Sequence, residues 1–304
     1  MSAPLVWITG AGGLIGSHLA RSAAVFAPDW QIAALTRERL ELTDFEAVSR
    51  AFAAGRPSLV IHCAAMSRSA DCEANPTRAE LVNVTVTRHL SELAEAVPFL
   101  FFSTDLVFDG RKGGYVETDP CNPLSVYAET KARAEEIVLS NPRHTVIRTS
   151  LNAGVSPTGD KSFTEQMRRA WARGETLKLF TDEFRSPIAA AVTARAVWER
   201  VQRRQPGLYH LAGSERLSRW EIGQLLAGHG PSLKANMERA SIKDFTGPPR
   251  PADTSLNCAK LQALLSFPLP AFSAWLRENP NEGAVTDAHT TRVLPLPSTG
   301  RGLG

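Results

Sequence analysis

A glycine-rich turn between the first apolar run and the first amphipathic stretch limits the folds open to this 304-residue chain. In VWITGAGGLIGSHLA, Gly10, Gly13 and Gly16 follow the apolar residues and open a segment with helical spacing. In a strand–turn–helix unit, the first glycine permits a tight turn, the second lets the backbone approach a pyrophosphate, and the third lets the helix pack closely on the sheet. The N–H groups at the helix start add positive potential there. The turn therefore predicts dinucleotide binding.

Near-continuous apolar runs alternate with amphipathic stretches through the first 150 residues. They are LVWIT (5–9), QIAAL (31–35), SLVIHC (58–63), PFLFFS (98–103) and HTVIRTS (144–150). Such runs are typical of parallel strands whose two faces are both covered by helices. Right-handed crossovers then give a doubly wound sheet. The predicted fold class is α/β, with a parallel Rossmann sheet in residues 1–150.

After residue 150 the alternation becomes less regular, which predicts a smaller C-terminal substrate-binding lobe over residues 151–280. We expect this lobe to be interleaved with returns to the sheet near residues 186–212, because GLYHLAG predicts a further strand there. Ser218 is a predicted helix N-cap. Residues 281–304 contain Gly, Pro, Ser and Thr without periodicity and are predicted to form a disordered tail.

A tyrosine and a lysine lie four positions apart in NPLSVYAETKARAEEIVL. The stretch predicts a helix with Asn122 as its N-cap and Pro123 at its first position. Tyr127 and Lys131 would then lie one turn apart on the same face. A tyrosine whose pKa is about 10 is a poor acid–base catalyst at neutral pH, and a nearby ammonium group lowers that pKa. We therefore predict that the pair is catalytic.

Three polar residues follow the fourth apolar run, in FFSTDLVFDG. Ser103, Thr104 and Asp105 would lie at the carboxyl end of a strand, where doubly wound sheets bind ligands. A hydroxyl from Thr104 can hydrogen-bond a substrate carbonyl, and Tyr127 can give its proton to the developing alkoxide. Thr104, Tyr127 and Lys131 are the predicted catalytic set, with Lys131 also holding the ribose hydroxyls of a nicotinamide cofactor.

The residues after the second apolar run indicate which nicotinamide cofactor is bound. An acidic residue about 20 positions after the glycine turn would accept from the 2′-hydroxyl of NAD. Here Leu35 is followed by TRER, and Arg37 instead suits the 2′-phosphate of NADP. NADP(H) is therefore the predicted cofactor, while Glu38 beside the arginine leaves NAD(H) open.

Taken together, these stretches resemble the extended short-chain dehydrogenase/reductase superfamily, and within it the dTDP-4-dehydrorhamnose reductases, from about residue 4 to residue 278. The matching segments include TGAGGLIGSHL, LELTDFEAV, CAAMSRSADCEANP and STDLVFDG…GYVETDPCNPLSVYAETK. With Arg37 included, the resemblance implies that the cofactor contacts Gly10, Gly13, Leu14, Ile15, Gly16, Arg37, Glu41, Leu42, Ala64, Ala65, Ser67, Tyr127 and Lys131.

The resemblance implies NADPH-dependent reduction of a 4-keto group on a nucleotide-activated deoxysugar. Asp105 is followed by Leu106, so the Asp-Glu pair of sugar-nucleotide dehydratases is missing. Candidates for contacts to the substrate's sugar or phosphates are Asp105, Arg148, Asn152, Arg185 and Arg250. We favour Asp105, Asn152 and Arg185, the last because arginine suits phosphate. Hydrogen bonding within the protein is the alternative for the lobe candidates.

One position departs from the pattern of the rhamnose-pathway reductases, which usually present a tryptophan to the sugar after the fifth run. This chain has Leu151, which supplies neither an indole face nor an N–H donor. The sugar and the nucleotide therefore stay open. Two other functions fit the same stretches: an NADP-binding regulatory subunit, as in methionine adenosyltransferase, and a sugar-nucleotide epimerase. The resemblance is also compatible with a homodimer.

Composition and charge exclude several classes of protein. The net charge is only +3, and the Lys and Arg residues are scattered, which is unlike a nucleic-acid-binding surface. No apolar run reaches the roughly 18 residues of a membrane span, and no signal peptide is evident. Four cysteines without Cys-x-x-Cys spacing predict free thiols and a cytoplasmic location. No zinc-type cluster is present, and His62 and His210 are predicted to be packed rather than catalytic.

Overall fold

The computed structural model describes residues 3–229 and 234–279. The strands of these residues are β1 Leu5–Thr9, β2 Gln31–Leu35, β3 Leu59–His62, β4 Phe99–Thr104, β5 Thr145–Thr149, β6 Asn152–Ala153, β7 Leu177–Phe180, β8 Phe184–Arg185, β9 Ile188–Ala189, β10 Gly207–Leu211, β11 Leu217–Ser218 and β12 Met237–Ala240. The helices are α1 Leu14–Phe26, α2 Phe45–Gly55, α3 Ser69–Ala74, α4 Pro76–Glu80, α5 Val86–Leu93, α6 Val126–Leu139, α7 Phe163–Ala172, α8 Ala190–Arg203, α9 Arg219–Gly228, α10 Ala259–Gln262 and α11 Phe272–Glu278. The five strands predicted in residues 1–150 are confirmed to within one residue at each end.

Six parallel strands form the central sheet in the order β10-β5-β4-β3-β1-β2. The predicted doubly wound α/β fold is therefore confirmed. The chain passes from β1 to β2 in one direction and returns past β1 to β3 in the other. Loops that leave the carboxyl ends of β1 and β3 consequently separate, and a crevice opens between them. The glycine turn and the segment that follows β3 both lie at this point.

Alternate side chains of each strand enter apolar layers on opposite faces of the sheet. On one face Ile8 packs in a cluster with Leu19 of α1 and Trp198 of α8. On the other face Trp7 packs with residues of α2, α5 and α6. Both faces of the strands are buried, which explains why their sequences are almost continuously apolar.

The C-terminal lobe consists of short strand pairs packed against α7, α9 and α11. Strand β7 pairs in parallel with β12, β8 pairs antiparallel with β11, and β6 pairs in parallel with β9. The lobe has its own apolar cluster, which contains Trp171, Ile222 and Phe272. Ser218 is confirmed as the N-cap of α9, where its hydroxyl accepts from the backbone N–H of Glu221 at 3.1 Å.

The predicted start of the tyrosine helix is wrong. Helix α6 begins at Val126, and its N-cap is Ser125, whose hydroxyl accepts from the backbone N–H of Ala128. The side chain of Asn122 instead donates to the Asp109 carboxylate at 3.0 Å. That contact spans 13 residues and holds Asn122 in the preceding loop. The tail predicted at 281–304 lies outside the described residues.

Candidate active site

The glycine turn after β1 approaches the backbone of another segment closely. Gly10 has φ +66°, and a Cβ atom there would lie 2.6 Å from the backbone nitrogen of Ala64, in the segment after β3. A Cβ atom at Gly16 would collide with the carbonyl oxygen of Gly10. A side chain at Gly10 would therefore collide with the segment after β3, and one at Gly16 would collide with the turn itself.

The start of α1 faces this crevice with its positive dipole end intact. Gly13 is the N-cap and brings no side chain to the first N–H groups, and the first turn contains no acidic residue. The N–H groups of Leu14, Ile15 and Gly16 have no acceptor within the helix, because they belong to its first turn. A turn that only glycine fits, followed by free N–H groups, suits the diphosphate of a dinucleotide.

The segment after β3 forms the opposite wall of the crevice. Its Ala64 N–H lies 3.4 Å from the hydroxyl of Thr9, and it continues through partly buried Ala65 to exposed Ser67. His62, at the end of β3, is fully buried between the hydroxyls of Thr9 and Thr87, at 2.6 and 3.1 Å. Burial, with a smaller contribution from Lys131, lowers the pKa of His62 to about 3. This histidine is packed and neutral, as expected.

The adenine-side residues lie after β2. The Arg37 side chain is 76% exposed, and its Nε atom lies 3.8 Å from the carboxylate of Glu41. Glu41 also accepts from the backbone N–H and the hydroxyl of Thr43, at 3.1 and 2.9 Å. Leu42 packs against the apolar layer that contains Trp7. The Arg37 guanidinium is accessible, and its contact with Glu41 is weak enough for a phosphate to replace it.

We expect Arg37→Ala to weaken NADPH binding about 10- to 100-fold, because a charge-assisted contact to the 2′-phosphate is lost. NADH binding should stay unchanged. Calorimetric titration with each cofactor measures both values. Arg50→Ala is the matched control, since Arg50 is also exposed and pairs at 3.4 Å with Glu46 at the same i,i+4 spacing. Equal losses for the two cofactors would contradict the assignment.

Tyr127 and Thr104 meet at the carboxyl end of β4. Tyr127 is 9% exposed. Burial raises the pKa of its phenol well above the usual range, and the charge of Asp105 adds to this. A hydrogen bond from the Thr104 hydroxyl and the positive charge of Arg185 act in the opposite direction. Tyr127 is therefore a protonated phenol at neutral pH, which is the form that can donate a proton.

Lys131 lies one turn further along α6 and is 2% exposed. Its Nζ atom lies 3.8 Å from the centroid of the Phe101 ring. Burial lowers its pKa to about 7, although the negative charge of Glu135 opposes this. On the neighbouring strand the Ser103 hydroxyl is buried and, among the residues that the structure describes, has no hydrogen-bond partner. A buried ammonium group and a buried free hydroxyl fit the polar ribose of a cofactor.

We expect Lys131→Met to change how the stability of the cofactor-free protein depends on pH. Burial lowers the folded-state pKa to about 7, whereas an unfolded lysine titrates near about 10.4. Between these values the unfolded chain binds more protons, so wild-type stability should rise with pH across this window. The variant should lack this rise, and at about pH 6 it should be more stable than wild type by a few kcal/mol.

Urea unfolding at several pH values measures the effect, and the wild-type minus variant difference removes groups that titrate in both proteins. Lys178→Met, at an exposed position of β7, is the control that should show no such difference. Parallel pH profiles for wild type and Lys131→Met would contradict the prediction.

Asp105 and Arg185, which we expected to contact substrate, bind each other in the structure. Asp105 is fully buried and accepts from Arg185 Nε at 2.6 Å, with a second contact from Arg185 Nη2. Hydroxyls of Ser150 and Thr254 donate to the same carboxylate, at 2.6 and 3.2 Å. The Thr104 hydroxyl lies 3.2 Å from its other oxygen. The ion pair therefore lies next to Thr104, and both of its charges act on the phenol of Tyr127.

The remaining lobe candidates are also engaged within the protein. The Asn152 amide donates to the Thr149 hydroxyl at 2.9 Å and accepts from the Thr193 hydroxyl at 2.6 Å. Arg148 forms a buried ion pair with Glu135 at 2.7 Å. Asn152 and Arg148 therefore form hydrogen bonds within the protein, which was the alternative to contacts with the substrate.

The chain matches the family model described as the RmlD substrate binding domain over residues 5–283. It belongs to this family. It is also similar to the dTDP-4-dehydrorhamnose reductase of Mycolicibacterium smegmatis, with 32% identity over 300 residues, covering 96% of this chain and 88% of that protein. Methionine adenosyltransferase 2 subunit beta of Xenopus tropicalis is 27% identical over 286 residues, which cover 90% of this chain and 86% of that protein.

Solved structures of the RmlD family and its neighbours share the fold. A dTDP-4-dehydrorhamnose reductase from Bacillus anthracis in complex with NADP has a TM-score of 0.83 and 22% identity, covering 91% of this chain and 98% of that one. A hypothetical dTDP-4-dehydrorhamnose reductase from Sulfolobus tokodaii has a TM-score of 0.78 and 28% identity, covering 88% of this chain and 96% of that one.

Membership of the RmlD family confirms the resemblance inferred from the sequence. The expected class, an NAD(P)-dependent oxidoreductase of the extended short-chain dehydrogenase/reductase type, is confirmed with it. In residues 3–229 and 234–279, no helix has the length and apolar character of a membrane span. The same residues contain no group of three His, Cys, Asp or Glu side chains that could hold a metal ion.

Two charged residues near the site were not singled out from the sequence. Glu183 is buried and binds Arg250 through both carboxylate oxygens, at 2.6 and 3.1 Å. Arg219 opens α9, and one of its guanidinium nitrogens is buried. The sequence could have pointed to Glu183, because this residue lies two positions before the candidate Arg185 in TDEFRSPI. Arg219 had no local signal beyond following the N-cap Ser218.

Proposed function

We propose that this chain is an NADPH-dependent reductase of a nucleotide-activated 4-ketosugar, with Tyr127 as the general acid. The observation that carries the proposal is that helix α6 places the buried side chains of Tyr127 and Lys131 at the strand β4 that ends in Thr104, with Lys131 Nζ 3.8 Å from the centroid of the Phe101 ring of that strand. This set lies at the carboxyl end of the sheet, where ligands of doubly wound folds bind.

Each part of the crevice suits one part of the cofactor. The turn at Gly10 and the start of α1 would hold the diphosphate, and Arg37 would bind the 2′-phosphate. Lys131 and Ser103 would hold the hydroxyls of the nicotinamide ribose. When bound, NADPH supplies the hydride for the reduction.

Two residues of the chain, Thr104 and Tyr127, would act on the carbonyl oxygen of the substrate. On substrate binding, the Thr104 hydroxyl would turn its proton from Asp105 to the carbonyl oxygen and so position the carbonyl. Tyr127 transfers its phenolic proton to that oxygen as negative charge develops on it. The phenolate left behind would be stabilised by the positive charge of Arg185, which lowers the free energy of the transition state.

Two observations support a 4-ketosugar nucleotide as the substrate class. Several relatives, including the one from Mycolicibacterium smegmatis, are named dTDP-4-dehydrorhamnose reductase. Leu106 follows Asp105; its backbone N–H donates to the Thr104 hydroxyl at 3.2 Å, and its apolar side chain packs against the cluster that contains Tyr127. A second carboxylate for elimination is thus missing at this strand end, which weighs against a dehydratase. Homodimerisation and a cytoplasmic location stay predictions from the sequence.

The test follows reduced-nicotinamide absorbance while the purified full-length protein is given NADPH and a panel of dTDP- and UDP-linked 4-ketosugars. Substrate-dependent loss of absorbance is the expected result. Tight NADPH binding without oxidation by any panel member would favour a regulatory subunit. Conversion of a sugar nucleotide without net cofactor oxidation would favour an epimerase. Either result would contradict the proposed reduction.

A further inference from the structure

Three arginines of the lobe surround one buried glutamate. Strand β11 pairs antiparallel with β8, so that Leu217 lies opposite Arg185. The ladder continues for one more bond, from the backbone N–H of Arg219 to the carbonyl oxygen of Glu183 at 3.0 Å. Arg219 is therefore fixed beside Glu183 and Arg185, and Arg250 joins them from the C-terminal segment. We call Glu183, Arg185, Arg219 and Arg250 the arginine cluster.

Both carboxylates in and beside this cluster already have arginine partners. Arg185 binds Asp105 through two nitrogens, and its third lies 3.9 Å from Glu183. Arg250 binds both oxygens of Glu183. Burial acts to raise the pKa of Glu183, but the hydrogen bond from Arg250 and the arginine charges outweigh it and lower that pKa. Three guanidinium groups thus face two carboxylates.

Arg219 is the arginine of the cluster whose guanidinium forms no ion pair within the part of the chain that the structure describes. Within the described ranges, its Nη1 atom is buried and has no hydrogen-bond partner. Its guanidinium carbon lies 5.8 Å from the Phe163 ring centroid. Burial lowers the Arg219 pKa to about 10, with Arg185 and Arg250 adding to the effect and Glu183 and Asp105 opposing it. The group is still a cation at neutral pH, and a buried cationic donor without an acceptor is unfavourable.

We infer that Arg219 binds the diphosphate of the nucleotide-sugar substrate. An anion at this position would supply the missing acceptor and balance the excess positive charge. The planar guanidinium fork suits phosphate oxygens. The inference rests on the proposed function, and it assigns the substrate's charged part to a residue outside the catalytic set.

The chemistry of the substrate agrees with this location. In a nucleotide-activated 4-ketosugar, the diphosphate leaves C1, which lies across the ring from C4. When the C4 carbonyl contacts Thr104, the diphosphate must lie on the far side of the sugar. Arg219 is within electrostatic range of Asp105, which itself contacts Thr104. The cluster therefore occupies the lobe side of the same site.

Calorimetric titration of the full-length protein with dTDP and UDP, and with the uncharged nucleosides thymidine and uridine, tests the inference without turnover. We expect wild type to bind at least one diphosphate more tightly than its nucleoside. Arg219→Gln should weaken that binding by about 10- to 100-fold, the loss expected for one charge-assisted contact in a desolvated site. NADPH binding should stay unchanged. Arg239→Gln is the matched control, because Arg239 is an exposed arginine of the same lobe.

A melting experiment separates ligand binding from a structural role. Because the unpaired Arg219 cation destabilises the ligand-free protein, Arg219→Met should leave its melting temperature unchanged or raise it, and should reduce the increase caused by the diphosphate. A lowered melting temperature without ligand would identify Arg219 as a structural residue and overturn the inference. Undiminished diphosphate binding by Arg219→Gln would also overturn it, as would equal affinities of wild type for diphosphates and nucleosides. None of these three results depends on the reductase assay, so the two proposals can fail separately.

Discussion

Tyr127→Phe is expected to lower kcat for ketosugar reduction by about 100- to 10,000-fold, the range typical for loss of a positioned general acid. Phenylalanine fills the same volume but has no proton to donate to the developing alkoxide. NADPH affinity should change little, because the glycine turn and Arg37 are untouched. Steady-state kinetics with the identified substrate, together with cofactor titration, measure both quantities.

Tyr115→Phe is the matched control for this prediction. Tyr115 is also a buried tyrosine, at 4% exposure, and its hydroxyl donates to Asp109 at 2.7 Å. It lies in the loop between β4 and α6 and belongs to a separate apolar cluster. Its substitution should affect stability modestly and kcat little. Full activity in Tyr127→Phe would exclude Tyr127 as the acid.

The parts of the site that could be predicted from the sequence are those formed by neighbouring residues. Gly10, Gly13 and Gly16 belong to one strand–turn–helix unit, so their spacing alone predicts a tight turn. Tyr127 and Lys131 share a helix face because they lie four positions apart. The five strands of residues 1–150 were predictable because burial on both faces makes their sequences almost continuously apolar.

The parts that could not be predicted depend on contacts between distant residues. Ser125 and Asn122 are both good capping residues, and only the contact of Asn122 with Asp109 decides between them. Asp105 and Arg185 are 80 residues apart. Each looks like a ligand contact when considered alone, and only the folded chain shows that they neutralise each other.

Asp105→Asn should lower the free energy of unfolding by about 3–5 kcal/mol, the usual cost of breaking a buried ion pair by removing one charge. The Arg185 side chain is 7% exposed and Asp105 is fully buried, so the arginine would keep its charge with only the Glu183 carboxylate, at 3.9 Å, near it. We also expect reduced activity, since the Asp105 carboxylate lies 3.2 Å from the Thr104 hydroxyl. Urea unfolding measures the stability change.

Glu80→Gln is the matched control for burial. Arg133 binds both oxygens of Glu80 at 2.7 Å, in a fork like that of Arg185 with Asp105, but the two side chains are 56% and 37% exposed. Water solvates the charges of this surface pair, so its loss should cost about 1 kcal/mol or less. Equal costs for Asp105→Asn and Glu80→Gln would contradict the argument from burial.

The double variant Asp105→Leu/Arg185→Leu separates the two contributions of the buried pair. If the cost of the single variant comes from an uncompensated charge, removing both charges should destabilise the protein less than Asp105→Asn does. Its activity should nevertheless stay low, because the carboxylate that lies 3.2 Å from the Thr104 hydroxyl is gone. Recovery of stability without recovery of activity would mean that this ion pair is retained for the organisation of the site rather than for the fold.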